Sequence, residues 1–222
     1  MTALYEANKD RLEAYLRLLL EANETMNLTA VTDFDEAVVR HLEDALAGAA
    51  YLPENAKVID VGTGAGLPGM PLAIARPDCA FVLADTLRKR CDFLEKTVET
   101  LGLPNVTVRW ARAEDLGRDE KTRETFDVAV CRALAALRLS LEYLHPLIRV
   151  GGCSLFWKGA AAEAEVAEAA RALRELQADR PEILPYALPG VEGAFRIVRV
   201  GKSRPCPKKY PRRTGVPGKN PL

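Results

Sequence analysis

Val58-Ile59-Asp60-Val61 runs straight into Gly62-Thr63-Gly64-Ala65-Gly66-Leu67-Pro68-Gly69, and this junction decides the fold. The first four residues make a short apolar strand. The glycines let the chain turn tightly and let backbone come close to a ligand. Pro68 suits the first turn of the helix that should follow. Glycine-rich strand-to-helix turns are common, so context matters. The next strand, Phe81-Val82-Leu83-Ala84-Asp85, ends in a carboxylate 23 residues beyond Gly62. A carboxylate there can accept hydrogen bonds from two ribose hydroxyls. Together these features predict a nucleoside-binding loop, with Gly62, Thr63, Gly64 and Asp85 nearest the ligand.

A nicotinamide dinucleotide or S-adenosylmethionine could occupy such a loop. Asp60 favours the second. A carboxylate before the glycines, in the order D-x-G-x-G-x-G, can orient the loop near a cationic methionine end. Beside a pyrophosphate it would be costly. The chain also offers no second domain to hold a hydride acceptor.

Outward from the loop, strands and helices alternate. Strands are expected at Phe81–Asp85, Val106–Trp110, Phe126–Cys131 and Ser154–Trp157, with helices over 87–101, 136–147 and 160–178. Near-continuous apolar strands between helices predict an α/β, Rossmann-like, mostly parallel sheet covered on both faces. Two late strands, near 183–188 and 194–200, are joined only through Pro189-Gly190. That connection is too short for a crossover helix, so the C-terminal strand should be antiparallel. Before the sheet, apolar residues at helical spacing over 2–23 and a cap-like Asp33-x-x-Glu36 predict an N-terminal helical extension. The expected organisation is an extension over 1–53, a cofactor-binding domain over 54–201 and a basic tail over 202–222.

Hydrophobic residues make up 48% and charged residues 28% of the 222, as in a globular protein. No apolar run is long enough to span a bilayer, and the first residues are polar, so neither membrane anchor nor signal peptide is expected. Five cysteines without a C-x-x-C pair read as reduced thiols of a cytoplasmic protein. Two histidines, His41 and His145, are too few for a metal site. The net charge of zero conceals an asymmetry. Residues 193–222 carry nine bases and no acid, whereas the other 192 residues hold 22 bases and 31 acids. A basic end on an acidic body points to a polyanionic partner. Rich in Pro and Gly, this tail should lack regular structure and sit outside the core.

Several motifs in combination resemble the bacterial 16S ribosomal RNA guanine-N7 methyltransferases, the RsmG or glucose-inhibited division protein B family. They are Asn27-Leu28-Thr29-Ala30 with Arg40-His41-Leu42, the loop Ile59 to Gly69, Lys89-Arg90, Arg132-Ala133, Lys158-Gly159, and Lys209-Tyr210-Pro211-Arg212-Arg213 with Pro217-x-Lys219. Ala65 stands where many members have proline, and Phe156-Trp157 is bulkier than usual before Lys-Gly. The resemblance runs from about Asn27 to the C-terminus. It implies a seven-stranded S-adenosylmethionine-dependent methyltransferase fold. It also implies that Gly62, Leu67, Asp85, Thr86, Leu87, Ala113, Glu114 and Arg132 line the cofactor site. The implied substrate is a guanine of 16S ribosomal RNA, free or in the small ribosomal subunit, and the enzyme is expected to act as a monomer. The alternative is a methyltransferase for another RNA or a small molecule. A non-catalytic RNA-binding protein on the same fold is a third reading.

Guanine N7 has an in-plane lone pair, so no general base is needed and none is assigned. Positioning and exclusion of water should carry the chemistry. RNA contacts are expected from Arg40, His41, Lys89, Arg90, Lys158, Lys208, Lys209, Arg212 and Arg213. Arg40-His41 reads equally as a core polar network. Lys89-Arg90 also reads as a solvated helix face, and the tail as a solubilising end.

Overall fold

A computed structural model describes all residues, 1–222. Helix α1 (Ala3–Met26) is followed by α2 (Phe34–Ala37), a π-helical turn (Val38–Glu43) and α3 (Asp44–Leu46). Strand β1 (Lys57–Val61) then enters the glycine loop, and α4 (Gly69–Ala75), β2 (Ala80–Asp85), α5 (Arg88–Leu101), β3 (Val106–Trp110) and α6 (Ala113–Arg118) follow. The second half contains β4 (Phe126–Arg132), α7 (Leu137–Leu144), β5 (Ile148–Lys158), α8 (Ala162–Glu168), α9 (Ala170–Leu176), β6 (Glu182–Leu188), β7 (Val191–Gly201) and α10 (Val216–Lys219).

The seven strands lie in the order β3-β2-β1-β4-β5-β7-β6. The strands β1 to β5 pair in parallel, and β7 is inserted antiparallel between β5 and β6. The chain moves outward from β1 to β3 on one side, then returns to place β4 against the other side of β1. That reversal opens a crevice at the carboxyl ends of the central strands, where such sheets bind ligands.

Each face of the sheet has its own core. One contains 32 buried residues and includes Leu12, Tyr15, Leu16 and Leu19 of α1, so the N-terminal extension shares its interior with the sheet. Tyr15 is fully buried and its hydroxyl donates to Ala65 O at 2.9 Å, which ties α1 to the glycine loop. The other core contains 22 buried residues, where α7, α9 and the C-terminal segment pack against the strands. All five cysteines are buried free thiols. No helix is long and apolar enough to cross a membrane.

Two expectations are corrected. The helix expected over 160–178 is two helices, α8 and α9, separated at Ala169. The C-terminal tail is a packed structural segment and includes α10. Cys206, Tyr210 and Leu222 are each no more than 6% exposed. Lys202 is fully buried, pairs with Glu124 at 2.7 Å and donates to His145 O and Ile148 O. The Arg123 guanidinium clamps the segment through Tyr210 O and Cys206 O. Composition misled here because aromatic and cysteine anchors spaced among prolines carry no periodicity. They become core only against α6, α7 and α9.

Candidate active site

Strand β1 is buried from Val58 to Val61, which places the Asp60 carboxylate beneath the glycine loop. Its Oδ2 accepts from Thr63 Oγ1 at 2.6 Å and from Gly69 N–H at 2.8 Å. The carboxylate thus ties both ends of the loop together. Oδ1 is buried without a partner. Burial pushes the Asp60 pKa up to about 6. A cation held beside the loop would restore the ionised form. A sulfonium or ammonium group meets that requirement, and a pyrophosphate does not.

Gly62 sits at φ +69°, and a Cβ there would lie 2.5 Å from Leu134 Cδ1. The position therefore excludes a side chain on both backbone and steric grounds. Gly69 is excluded by contact: its Cβ would meet Leu83 at 2.4 Å and Asp60 Oδ2 at 2.7 Å.

Asp85 ends β2 almost fully buried. It accepts from Gly64 N–H and Leu87 N–H, each at 2.9 Å, and lies 3.5 Å from Arg90 Nη1. Between these groups is a cleft of about 310 Å³ bounded by Gly62, Asp85, Thr86, Ala113, Glu114 and Tyr143. A nucleoside lying over the loop would have Asp85 at its ribose end and the start of α6 at its base.

The other expected cofactor residues occupy different places. Thr63 turns inward to Asp60, and Gly64 meets the cleft through Asp85. Leu67 is buried under the loop, whereas Leu87 stands 44% exposed beside the cleft. Arg132 lies in an adjoining cavity of about 590 Å³ that shares Ala133 with the first. Its Nη1 donates to Asp44 Oδ2 at 2.7 Å and to Arg40 O at 3.0 Å. This carbonyl belongs to the π-helical turn, so Arg132 fastens the N-terminal extension to the end of β4.

The expected RNA-contact residues separate into three groups. Lys158 lines the second cavity, and His41 lies beneath Arg132. Burial and the Arg132 charge push the His41 pKa down. Its Nδ1 lies 3.5 Å from Arg132 Nη2, and its Nε2 hydrogen-bonds with Thr29 Oγ1 at 2.7 Å. The second group lies at the surface: Lys89, Lys208 and Arg213 face solvent without ion pairs, exposed Arg40 pairs with Glu36, and only Arg90 is half-buried, beside Asp85. The third group is engaged within the tail. Lys209 pairs with Glu175 at 3.0 Å, and Arg212 grips the fully buried Glu142 through its backbone N–H, Nε and Nη2 at 2.6–2.9 Å.

Sequence reading missed several participants. Exposed Arg112 lines the cleft, and Arg109 and Trp110, the latter 60% exposed, precede it on β3. Their position at the carboxyl end of β3 was the available signal. Glu165, Tyr186 and Phe195 line the second cavity but come from distant segments, so nothing local marks them. The tail also reaches the cleft: Gly215 N–H donates to Glu114 Oε1 and Thr214 Oγ1 to Asp115 Oδ1, both at 3.0 Å.

Among solved structures, an S-adenosylmethionine-dependent O-methyltransferase from Thermotoga maritima shares the fold, with TM-score 0.58 and 17% identity over 84% of this chain and 72% of that one. A S-adenosylmethionine-dependent methyltransferase from Aquifex aeolicus gives TM-score 0.57 at 17% identity, covering 74% and 92% of the two chains. Sequence relatives are nearer. Proteins named ribosomal RNA small subunit methyltransferase G from Moorella thermoacetica and Carboxydothermus hydrogenoformans are 43% and 44% identical, over 95% of this chain and 89% and 90% of theirs. Residues 8–185 match the GidB family, rRNA small subunit methyltransferase G. With the match spanning most of the chain and the glycine loop, Asp85 and Arg132 all inside it, the chain belongs to the rRNA small subunit methyltransferase G family.

Proposed function

We propose that this chain transfers the methyl group of S-adenosylmethionine to N7 of a guanine in 16S ribosomal RNA, working in the cytoplasm as a monomer. The observation that carries the reading is the pair of adjoining cavities at the reversal point of the sheet. One has the buried Asp85 carboxylate beside the glycine loop, the other is large enough for a base, and Ala133 borders both. Family membership supports the substrate class.

When bound, S-adenosylmethionine would supply an electrophilic methyl carbon for the N7 lone pair, with its sulfur as the leaving group. The chain's residues have a positioning task. Asp60 fixes the loop, and Asp85 stands ready for ribose hydroxyls. Arg132, locked to Asp44 and Arg40 O, lines the second cavity next to the shared Ala133. No residue has to remove a proton from N7, and the neutral, internally bonded His41 is not placed as a base. Arg109, Arg112 and Lys89 offer unpaired positive charge around the cleft for the RNA backbone.

The test is transfer of labelled methyl from S-adenosylmethionine to small-subunit RNA or intact subunits lacking the modification, followed by mass mapping. The expected product is a single 7-methylguanine. Label on another RNA or on small molecules alone would replace this reading. Failure to bind S-adenosylmethionine would leave a non-catalytic RNA-binding protein.

A further inference from the structure

The cavity beside the cofactor cleft contains two ion pairs that differ in what they leave free. Asp44 is satisfied internally, with Arg132 on one oxygen and the Tyr186 hydroxyl on the other. Glu165 is not. Its Oε2 accepts from Leu137 N–H at 2.6 Å and from Lys158 Nζ at 2.7 Å, while Oε1 accepts nothing from the protein. Lys158 gives a second N–H to Ala135 O at 2.8 Å and keeps a third unused. The pair therefore presents one free donor beside one free acceptor. Tyr186 and Phe195, with ring centroids 5.7 Å apart, supply an aromatic wall to the same cavity.

We propose that the Lys158–Glu165 pair selects the target base as guanine, with Lys158 donating to O6 and Glu165 Oε1 accepting from N1–H. The inference rests on the reading that a guanine is methylated, and it names the residues that choose it. Guanine places an acceptor next to a donor on its Watson–Crick edge, which complements the pair. Enzymes that modify an extruded base read this edge. N7 lies on the adjoining edge beside O6, so the pair can hold the Watson–Crick edge and leave N7 free for the cleft that Ala133 also borders. Adenine reverses the pattern: its N6 amino group would face the ammonium, and its N1 lone pair the carboxylate. The Lys158 and Glu165 side chains are only 11% and 24% exposed, so mismatched groups would lose water without gaining partners.

Mononucleotides test the pocket directly in the presence of S-adenosylhomocysteine. Guanosine and inosine 5′-monophosphates share O6 and N1–H, so they should bind alike, and adenosine 5′-monophosphate should bind about ten-fold or more weakly. In Glu165→Gln the amide oxygen should keep the Oε2 position, because Leu137 N–H and Lys158 require an acceptor there. The amide N–H would then replace the free acceptor, so binding of guanosine 5′-monophosphate should fall and the preference over adenosine should vanish or invert. Unchanged melting temperature and cofactor affinity would separate this from a structural defect. The inference is overturned if the wild type binds guanosine and adenosine nucleotides equally or binds neither, or if Glu165→Gln keeps the preference. Methyl transfer to small-subunit RNA, run in parallel, separates the two failures. A wild type that modifies no RNA guanine defeats the functional reading, whereas a variant as active as wild type defeats only the role of Glu165.

Discussion

The C-terminal tail and the cofactor edge of the sheet both combine buried carboxylates with many cations, yet they are electrostatically opposite. In the tail the chain pairs its anchoring charges internally, and only solvent-facing cations such as Lys208 and Arg213 stay open. Glu142 is buried against Arg212, Lys202 is buried against Glu124, and Glu175 receives Lys209 and the Tyr210 hydroxyl. At the cofactor edge Asp85 meets Arg90 and Arg132 meets Asp44, but other charges stay open. Asp60 is buried with one oxygen unpartnered, while Lys89, Arg109 and Arg112 are exposed without ion pairs. A segment whose charges meet each other is structural. One whose charges meet nothing is arranged for something that arrives. The number of cations in a stretch of sequence therefore says little about how many are available.

The comparison can be broken most severely at Arg212. Arg212→Met should leave Glu142 as a buried, unpaired charge and cost about 3–5 kcal/mol of stability. Urea unfolding of the variant measures it, and a loss well under 1 kcal/mol would mean that the tail only rests on the fold. Lys209→Ala, at an exposed pair in the same tail, should leave the unfolding midpoint in place.

At the cofactor edge, Asp85→Asn retains only one of the two carboxylate acceptors. It should weaken S-adenosylmethionine binding by about 1.5–3 kcal/mol, the range for hydrogen bonds to a charged group. Calorimetry showing full affinity would remove Asp85 from the site.

The unpartnered Asp60 sharpens the contrast through pH. Its folded pKa is raised to about 6 from an ordinary 3.8. Its protonated form is therefore favoured by the fold, a contribution to stability present below pH 3.8 and lost as pH rises through about 6. A cationic ligand favours the ionised form, so cofactor affinity should rise between about pH 5 and pH 7 with release of a proton. Affinity flat across that window would show that Asp60 does not sense the ligand's charge.

The smallest effects should appear in RNA binding. Lys89→Ala or Arg112→Ala should each reduce the slope of log affinity against log salt by about one unit. Lys209→Ala should leave the slope unchanged, because its charge already has a partner. Equal slopes for all three variants would erase the distinction between the two regions.

Much of this was legible in the chain alone because its physics is local. The apolar runs specified strands, and the short Pro189-Gly190 link required an antiparallel neighbour. The loop glycines specified backbone conformations that side chains cannot enter, with Asp60 and Asp85 at fixed offsets along adjacent strands. Family motifs carried the substrate class. Availability and convergence were not legible. Arg212 reads as one more cation until Glu142, 70 residues earlier, is found buried beneath it. Lys158 and Glu165 are near in sequence, but their neighbours Tyr186 and Phe195 reach the same cavity only because β7 inserts antiparallel between β5 and β6. The sequence determined which elements form and where the tight glycine loop sits between them, because those follow from short-range periodicity and backbone sterics. The tertiary structure decided which charges remain free for ligand and RNA, because pairing and desolvation depend on contacts between segments far apart along the chain.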